Sequence, residues 1–500
     1  MIRSLTLLLA ASSWAANSAL AQAPAVATIQ LEKGTTCTGT LLIDVDLDGR
    51  EDLVLACRDK DEKRRELHVH LRAADAPAFA QTPSRPPYPL ESDVVAFTFA
   101  DCLPAPGREL ILVTPERVVA VAFTDDGSPA YTPIAEHRCV WPAAASTFAV
   151  ALQQARNDVD GDGKDDLLLP QPDGALWLPL HGRAPVPFAL PAWRSPLENA
   201  SGGGGGAQLQ NGGLSLQLNL GGGDDEELSR KPLVKLSHRT PPLRVLDLDG
   251  DGRLDLQALR NDRLIALCRR ANGAFERVER ALPLPGDRLM LFDPAFDVQL
   301  QKIDGDAIPD LVLTTSARRD EEVEVRIDLF RTRPDGTWPE RPDSRLRLQT
   351  LARAPQLVDV DGDGRLDLVA VTLRTAALRG LTGDAPKSLE AQLNVFGNDG
   401  ERFVQPARLA EVLHLPADDD NGSSAPFVHL LPGAAGTPGA LLLQEGDRLL
   451  QRPLTANGAR LQLGAATTDL VLPAKSRVRV SDAGEVLVRN QQEVQHVRLR

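Results

Sequence analysis

Four short stretches of this chain carry an acid at every second position and then a glycine. They read DVDLDGRED from Asp44, DVDGDGKDD from Asp158, DLDGDGRLD from Asp247 and DVDGDGRLD from Asp359. Alternate acids on a tightly turning chain converge on one point. A hard cation such as calcium takes six to eight oxygens, several of them carboxylate. With the first Asp as position 1, the shell would come from acids at 1, 3 and 5, a backbone carbonyl at 7 and an acid at 9. Glycine at 6 permits the turn. The candidate ligands are Asp44, Asp46, Asp48, the Arg50 carbonyl and Asp52; Asp158, Asp160, Asp162, the Lys164 carbonyl and Asp166; Asp247, Asp249, Asp251, the Arg253 carbonyl and Asp255; and Asp359, Asp361, Asp363, the Arg365 carbonyl and Asp367. Four carboxylates crowded together without a cation would repel one another. Recurrence of one spacing four times therefore favours Ca2+ over plain Asp-Gly turns.

An EF-hand shares the opening of this phrase but needs a bidentate Glu at position 12. Leu55, Leu169, Ala258 and Ala370 stand there instead, each in an apolar run that reads as a strand. A fifth copy, KIDGDAIPD from Lys302, has lost its first acid and has Ala307 in place of glycine. There the Lys302 ammonium is expected to neutralise Asp304, Asp306 and Asp310 in place of an ion.

The elements that must hold these loops follow from the spacing. Aligned on the leucine that closes each phrase, the copies fall at Leu53, Leu167, Leu256, Leu311 and Leu368. The 114 residues from Leu53 to Leu167 make two periods of 57 and call for a hidden copy, found as ADCLPAPGRELILV at Leu110. Another acid-free copy, LPGAAGTPGALLL, closes at Leu441. Tight-turn pairs follow most copies, at Asp126-Gly127, Asn272-Gly273, Asp335-Gly336, Asp399-Gly400 and Asn457-Gly458, with His181-Gly182 a weaker match. Such pairs tolerate positive φ and suit hairpins. Short strands without 3.6 periodicity, 39 Gly and 38 Pro give an all-β chain. A repeat near 57 residues fits one four-stranded antiparallel sheet, and radial repetition of such sheets is a β-propeller.

The expectation is a seven-bladed propeller over residues 22–500, interrupted by a Gly-rich insertion at about 197–232 that carries one hairpin. Thr28–Leu31 and the C-terminal EVLVRN and EVQHVRLR stretches are the strands expected to close the ring, one end completing the other end's sheet. Asp418–Gly422 reads as a solvated acidic loop, with a further cation site as the other reading.

The phrase D-x-D-x-D-G-x-x-D-L resembles the FG-GAP, or VCBS, repeat of the integrin α-chain propeller and of many secreted bacterial proteins. The resemblance implies seven blades, with calcium between the first two strands of several.

Residues 1–21 read as a signal peptide: Arg3, an apolar run from Leu5 to Ala11, and Ala19-Leu20-Ala21 before a cleavage point. Export to a secreted or periplasmic location follows, with no transmembrane segment. A formal charge of -14 argues against nucleic acid, which needs a basic surface. Cys37 with Cys57 and Cys102 with Cys139 are the preferred disulfides, leaving Cys268 free; five buried thiols are the alternative.

No G-x-S-x-G, H-E-x-x-H, phosphate loop or C-x-x-C occurs. His68 and His70 in ELHVHLR share a strand face with Glu66 and Arg72, which reads as a solvated outer strand rather than a zinc pair. Trp141, Trp177, Trp193 and Trp338 read as core or rim packing for the most part, aromatic content being 4%. The expected function is a monomeric recognition or scaffold propeller for a protein or glycan, without catalytic residues and with calcium as a structural clip. The alternative is a calcium-dependent polysaccharide-acting lyase or hydrolase on the same fold.

Overall fold

The computed structural model describes residues 25–498 apart from 60–63, 73–78, 105, 124–127, 137–149, 152–155, 172–173, 181–183, 191–192, 195–197, 201–205, 211–212, 221–232, 240–242, 261, 287–295, 320–321, 350–353, 374–387, 417–426, 435, 474–475, 482–483 and 491. Several expected features lie outside the described residues: the leader, Asp126-Gly127, Cys139, Trp141, His181-Gly182 and Asp418–Gly422.

The chain is an all-β propeller of four-stranded antiparallel blades. Blade 1 runs Thr35–Ile43, Asp52–Asp59, Arg65–His70 and Tyr88–Leu90, paired in that order. The meander repeats from Ala96, Arg156, Leu243, Phe296, Gln356 and Val428 for blades 2 to 7. Second strands such as Asp52–Asp59 and Glu109–Val113 are buried along most of their length, because neighbouring blades cover both faces. They therefore read as continuous apolar runs. The outer strand Ser344–Leu348 alternates between buried and exposed residues, with one face on the core.

The ring has eight blades, which corrects the count of seven. Arg477–Val480, Val486–Arg489 and Glu493–Arg498 form a meander of their own, and Ala25–Gln30 pairs antiparallel with the last of these as its fourth strand. The two termini thus build a whole blade rather than completing an existing one. Only Ser481–Glu485 separates its first two strands, too few residues for the acid phrase that marks the other copies.

The core lies between blades rather than within them. Leu442, Leu449, Val486, Val488 and Val497 join blades 7 and 8, and Ile29, Leu487 and Val494 meet Leu53, Leu55 and Cys57 across the seam between blades 8 and 1. The other six junctions each hold a comparable buried cluster. Burying one such side chain stabilises the fold by roughly 1.5–3 kcal/mol, so each blade depends on both neighbours. Between blades 3 and 4 the chain leaves the ring. Gly206–Gln210 and Gly213–Leu220 form a hairpin, which Leu233–Arg239 and the short strands at Trp193 and Glu198 extend into a separate sheet.

Candidate metal centres

Each acid phrase joins the first strand of its blade to the second, and the first Asp folds it. In blade 1 the two Asp44 oxygens accept the N–H groups of Asp48 and Gly49, both at 3.0 Å. In blade 3, Asp158 accepts those of Asp162 and Gly163, both at 2.9 Å. The Asp at position 5 accepts the N–H of position 7, at 2.9 Å for Arg50, Lys164, Arg253 and Arg365. These short-range bonds are the local reason that Asp and Gly sit where they do.

Glycine at position 6 has φ between +82° and +87° in all four loops, as the required turn demands. Position 4 is left-handed as well, in Gly161, Gly250 and Gly362 at +71°, +75° and +75° and in Leu47 at +63°. The sequence reading missed this second turn, although three of the four phrases carry glycine there.

The acids converge as triads. Carboxylate oxygens of Asp44, Asp46 and Asp48 lie within 4.8 Å of one another, as do those of Asp158, Asp160 and Asp166, of Asp247, Asp249 and Asp251, and of Asp359, Asp361 and Asp367. Asp52, Asp255, Asp162 and Asp363 stand outside these triads. The donor set, all carboxylate and half in solvent, suits a hard cation. Oδ1 of Asp249 is buried without a hydrogen-bond partner among the described residues, a second feature that a cation would satisfy.

The acid at position 9 has a further task. Asp52 accepts the N–H of Val45 at 2.8 Å and of Arg72 at 2.7 Å, so one carboxylate ties the loop to the end of the third strand. Asp255 does the same with Leu248 and Arg269, at 2.9 and 2.7 Å, and Asp367 with Val360 and Asn398, at 3.1 and 3.0 Å. Burial, the leading cause, pushes Asp52, Asp166, Asp255 and Asp310 up to about 6 and Asp367 up to about 7.

Two blades without the intact acid phrase, 2 and 5, keep this staple. Oε2 of Glu109 in blade 2 accepts the N–H of Cys102 at 2.9 Å and of Leu103 at 3.1 Å. In blade 5, Asp310 accepts the N–H of Thr332 at 2.9 Å. Lys302 is exposed, and among the described residues the basic group beside Asp304 is Arg331, at 3.9 Å. Arginines also face the acid triads: Arg270 lies 2.9 Å from Asp249, Arg108 lies 3.9 Å from Asp44, and Arg408 pairs with Asp361. Of the position 7 side chains, Arg50 pairs with Asp48, Arg253 with Asp251, and Lys164 reaches Asp101 of blade 2 at 2.7 Å. Arg365 lies beside Gly400 of the following hairpin.

His68, His70, Cys37, Cys57, Trp177 and Trp338 have partners within the fold. Arg65–His70 is an inner strand covered by Tyr88–Leu90, not the solvated outer strand expected. The proline-flanked outer strand gives little periodic signal. His70 is buried against the Ala80 carbonyl at 2.8 Å, while His68 pairs with Glu66 at 2.7 Å. Cys37 and Cys57 are cross-strand partners, both buried thiols. Trp177 packs edge-on to Phe275, and Trp338 donates to Thr332 at 3.1 Å.

Residues 302–370, from the damaged loop of blade 5 to the second strand of blade 6, match the FG-GAP-like repeat family. This chain carries an FG-GAP-like repeat. No curated protein matches the sequence. Among solved structures, the chain is similar to an Agrocybe aegerita lectin described as recognising non-reducing terminal N-acetylglucosamine, at 13% identity over 87% of this chain and 89% of that one, with a TM-score of 0.38. It is also similar to Sqt1 from Chaetomium thermophilum, at 11% identity over 93% and 96%, again with a TM-score of 0.38. No helix among its described residues is long and apolar enough to cross a membrane.

Proposed function

We propose that this FG-GAP-like propeller is an exported calcium-binding module that presents a recognition or scaffold surface to a protein or glycan. The observation that carries the calcium reading is the convergence of three carboxylates within 4.8 Å at the same turn of four blades. Calcium would supply positive charge to acids that otherwise repel, and so clip the first strand of each of these blades to the second. The N-terminal pattern of charge, apolar run and small residues supports export.

Where a blade carries an acid loop or a described Asp-Gly or Asn-Gly turn, the meander puts both at the same end of it, since both follow odd-numbered strands. That end is committed to cations and hairpins. The opposite end is the surface proposed for the ligand. Immobilised glycan and protein panels probed with the full chain, with calcium and with EGTA, test the role. Calcium-dependent retention is expected, whereas new unsaturated sugar ends would point instead to a polysaccharide-acting enzyme. Retention of nothing on either panel contradicts a recognition role.

A further inference from the structure

The loop of blade 7 has lost every acid, yet it donates three backbone N–H groups to a neighbouring acid loop. The N–H of Gly433 donates to the Asp359 carbonyl at 2.8 Å, that of Gly436 to Gly362 at 2.9 Å, and that of Gly439 to Val360 at 2.8 Å. Three glycines spaced by three thus grip positions 1, 4 and 2 of the blade 6 loop. A Cβ on Gly433 would lie 2.5 Å from the Thr437 oxygen, 2.9 Å from the Gly362 nitrogen and 3.0 Å from the Val360 oxygen, all backbone atoms. A side chain on Gly362 would meet the Gly436 nitrogen at 2.8 Å. The two backbones lie against each other, and an acid-bearing loop in blade 7 would hold them apart.

The position 2 carbonyl is met by the following blade elsewhere too. Val45 accepts the Arg108 N–H at 2.7 Å, Val159 accepts Nη1 of Arg269 at 2.8 Å, and Ile303 accepts Nδ2 of Asn398 at 2.7 Å. Among the described residues, only the Asp359 loop is held by three backbone donors from its neighbour.

We infer that the acid-free loop of blade 7, through Gly433, Gly436 and Gly439, is a clamp that presets the Asp359 cation site. This rests on the calcium reading above. The glycines are positioning residues: they offer no carboxylate, but they fix the backbone from which Asp359 and Asp361 hang. A preset shell loses less conformational freedom on binding, and site rigidity tunes calcium affinity.

Hydrogen exchange on the metal-stripped full-length chain tests this without any substitution. Calcium should slow exchange at the Gly433, Gly436 and Gly439 amides. Asp359→Asn should abolish that slowing while leaving the slowing at the Asp44, Asp158 and Asp247 loops. Calorimetric titration with calcium then reads Gly433→Ala, whose methyl wedges the backbones apart. One site of four should weaken by about tenfold or more, with no further change when the substitution is added to Asp359→Asn.

Slowing at the other three loops without slowing at the blade 7 glycines would overturn the clamp, as would equal weakening of all four sites by Gly433→Ala. If Gly433→Ala does not fold, the exchange measurement on the unsubstituted chain decides. Calcium that produces neither heat nor slowed exchange anywhere would overturn the calcium reading and the clamp together.

Discussion

Blade 6 and blade 8 place a carboxylate at the same turn and treat it in opposite ways. Burial, helped by the neighbouring Asp361, pushes Asp367 up to about 7. Burial also works against ionised Glu485, yet hydrogen bonds from His496 and Arg72 hold it down at about 2. Asp367 begins the second strand of its blade, and Glu485 immediately precedes the second strand of blade 8. Blade 6 surrounds its carboxylate with further acids; blade 8 reaches across the seam to Arg72 of blade 1, at 2.6 Å. An acid stands at this turn in seven of the eight blades, blade 7 having none, and between blades 6 and 8 the source of positive charge is what differs.

The largest expected effect comes from breaking the blade 8 arrangement. Arg72→Ala leaves Glu485 buried with His496 alone, and removal of one partner of a buried pair costs about 3–5 kcal/mol. Denaturant unfolding should show the same loss in calcium and in EGTA, because no cation is involved.

Asp310→Ala in blade 5 removes the acceptor for the Thr332 N–H and should cost about 1–3 kcal/mol. Calcium stoichiometry should stay unchanged. Asp367→Ala in blade 6 removes a similar staple but should also lower the stoichiometry by one. If both substitutions, or neither, lower it, staple and ligand are not separable in this way.

The two carboxylates also predict opposite pH dependence. Asp52, Asp166, Asp255, Asp310 and Asp367 have folded values of about 6 to 7, above the unfolded carboxylate value. Their contribution is full below the unfolded value, roughly 3.9, and is lost as pH rises through 6 to 7. The calcium-free protein should therefore lose stability between pH 5 and pH 7.5. His70, lowered by burial, opposes this trend, its contribution being lost as pH falls through its unfolded value. Glu485, lowered to about 2, contributes above its unfolded value and loses that only as pH falls through about 2. Unfolding measured against pH in EGTA and in calcium should show the decline in EGTA and a flatter profile in calcium.

The smallest effect expected is a gain. Leu47 holds a left-handed φ of +63° at a position where the other three loops have glycine, and is 43% exposed. Leu47→Gly should stabilise blade 1 by about 1 kcal/mol or less, as relief of strain outweighs added chain entropy. A measured loss would mean that the Leu47 side chain makes a stabilising contact.

The acid loops and seven of the blades were legible because their signals are local: Asp and Gly fold each loop through bonds two to five residues apart, and the closing leucine marks a strand buried on both faces. The eighth blade was not, since its strands come from opposite ends of the chain and its five-residue turn, Ser481–Glu485, is too short for the acid phrase. The staple at position 9 was also hidden, because its second partner, Arg72 or Asn398, lies 20 or 31 residues away. Nor could spacing show that Asp101, position 1 of the worn blade 2 loop, meets Lys164 from blade 3.

The central claim is that four loops of this ring hold calcium and that the ion ties strands together. Calcium bound per metal-stripped chain, measured by calorimetry alongside thermal unfolding in calcium and in EGTA, tests it most directly. Four ions per chain and a large fall in Tm on chelation are predicted, since each occupied site at a hundredfold excess over its Kd adds about 2.7 kcal/mol. An unchanged Tm in EGTA, or no calcium bound, would contradict it.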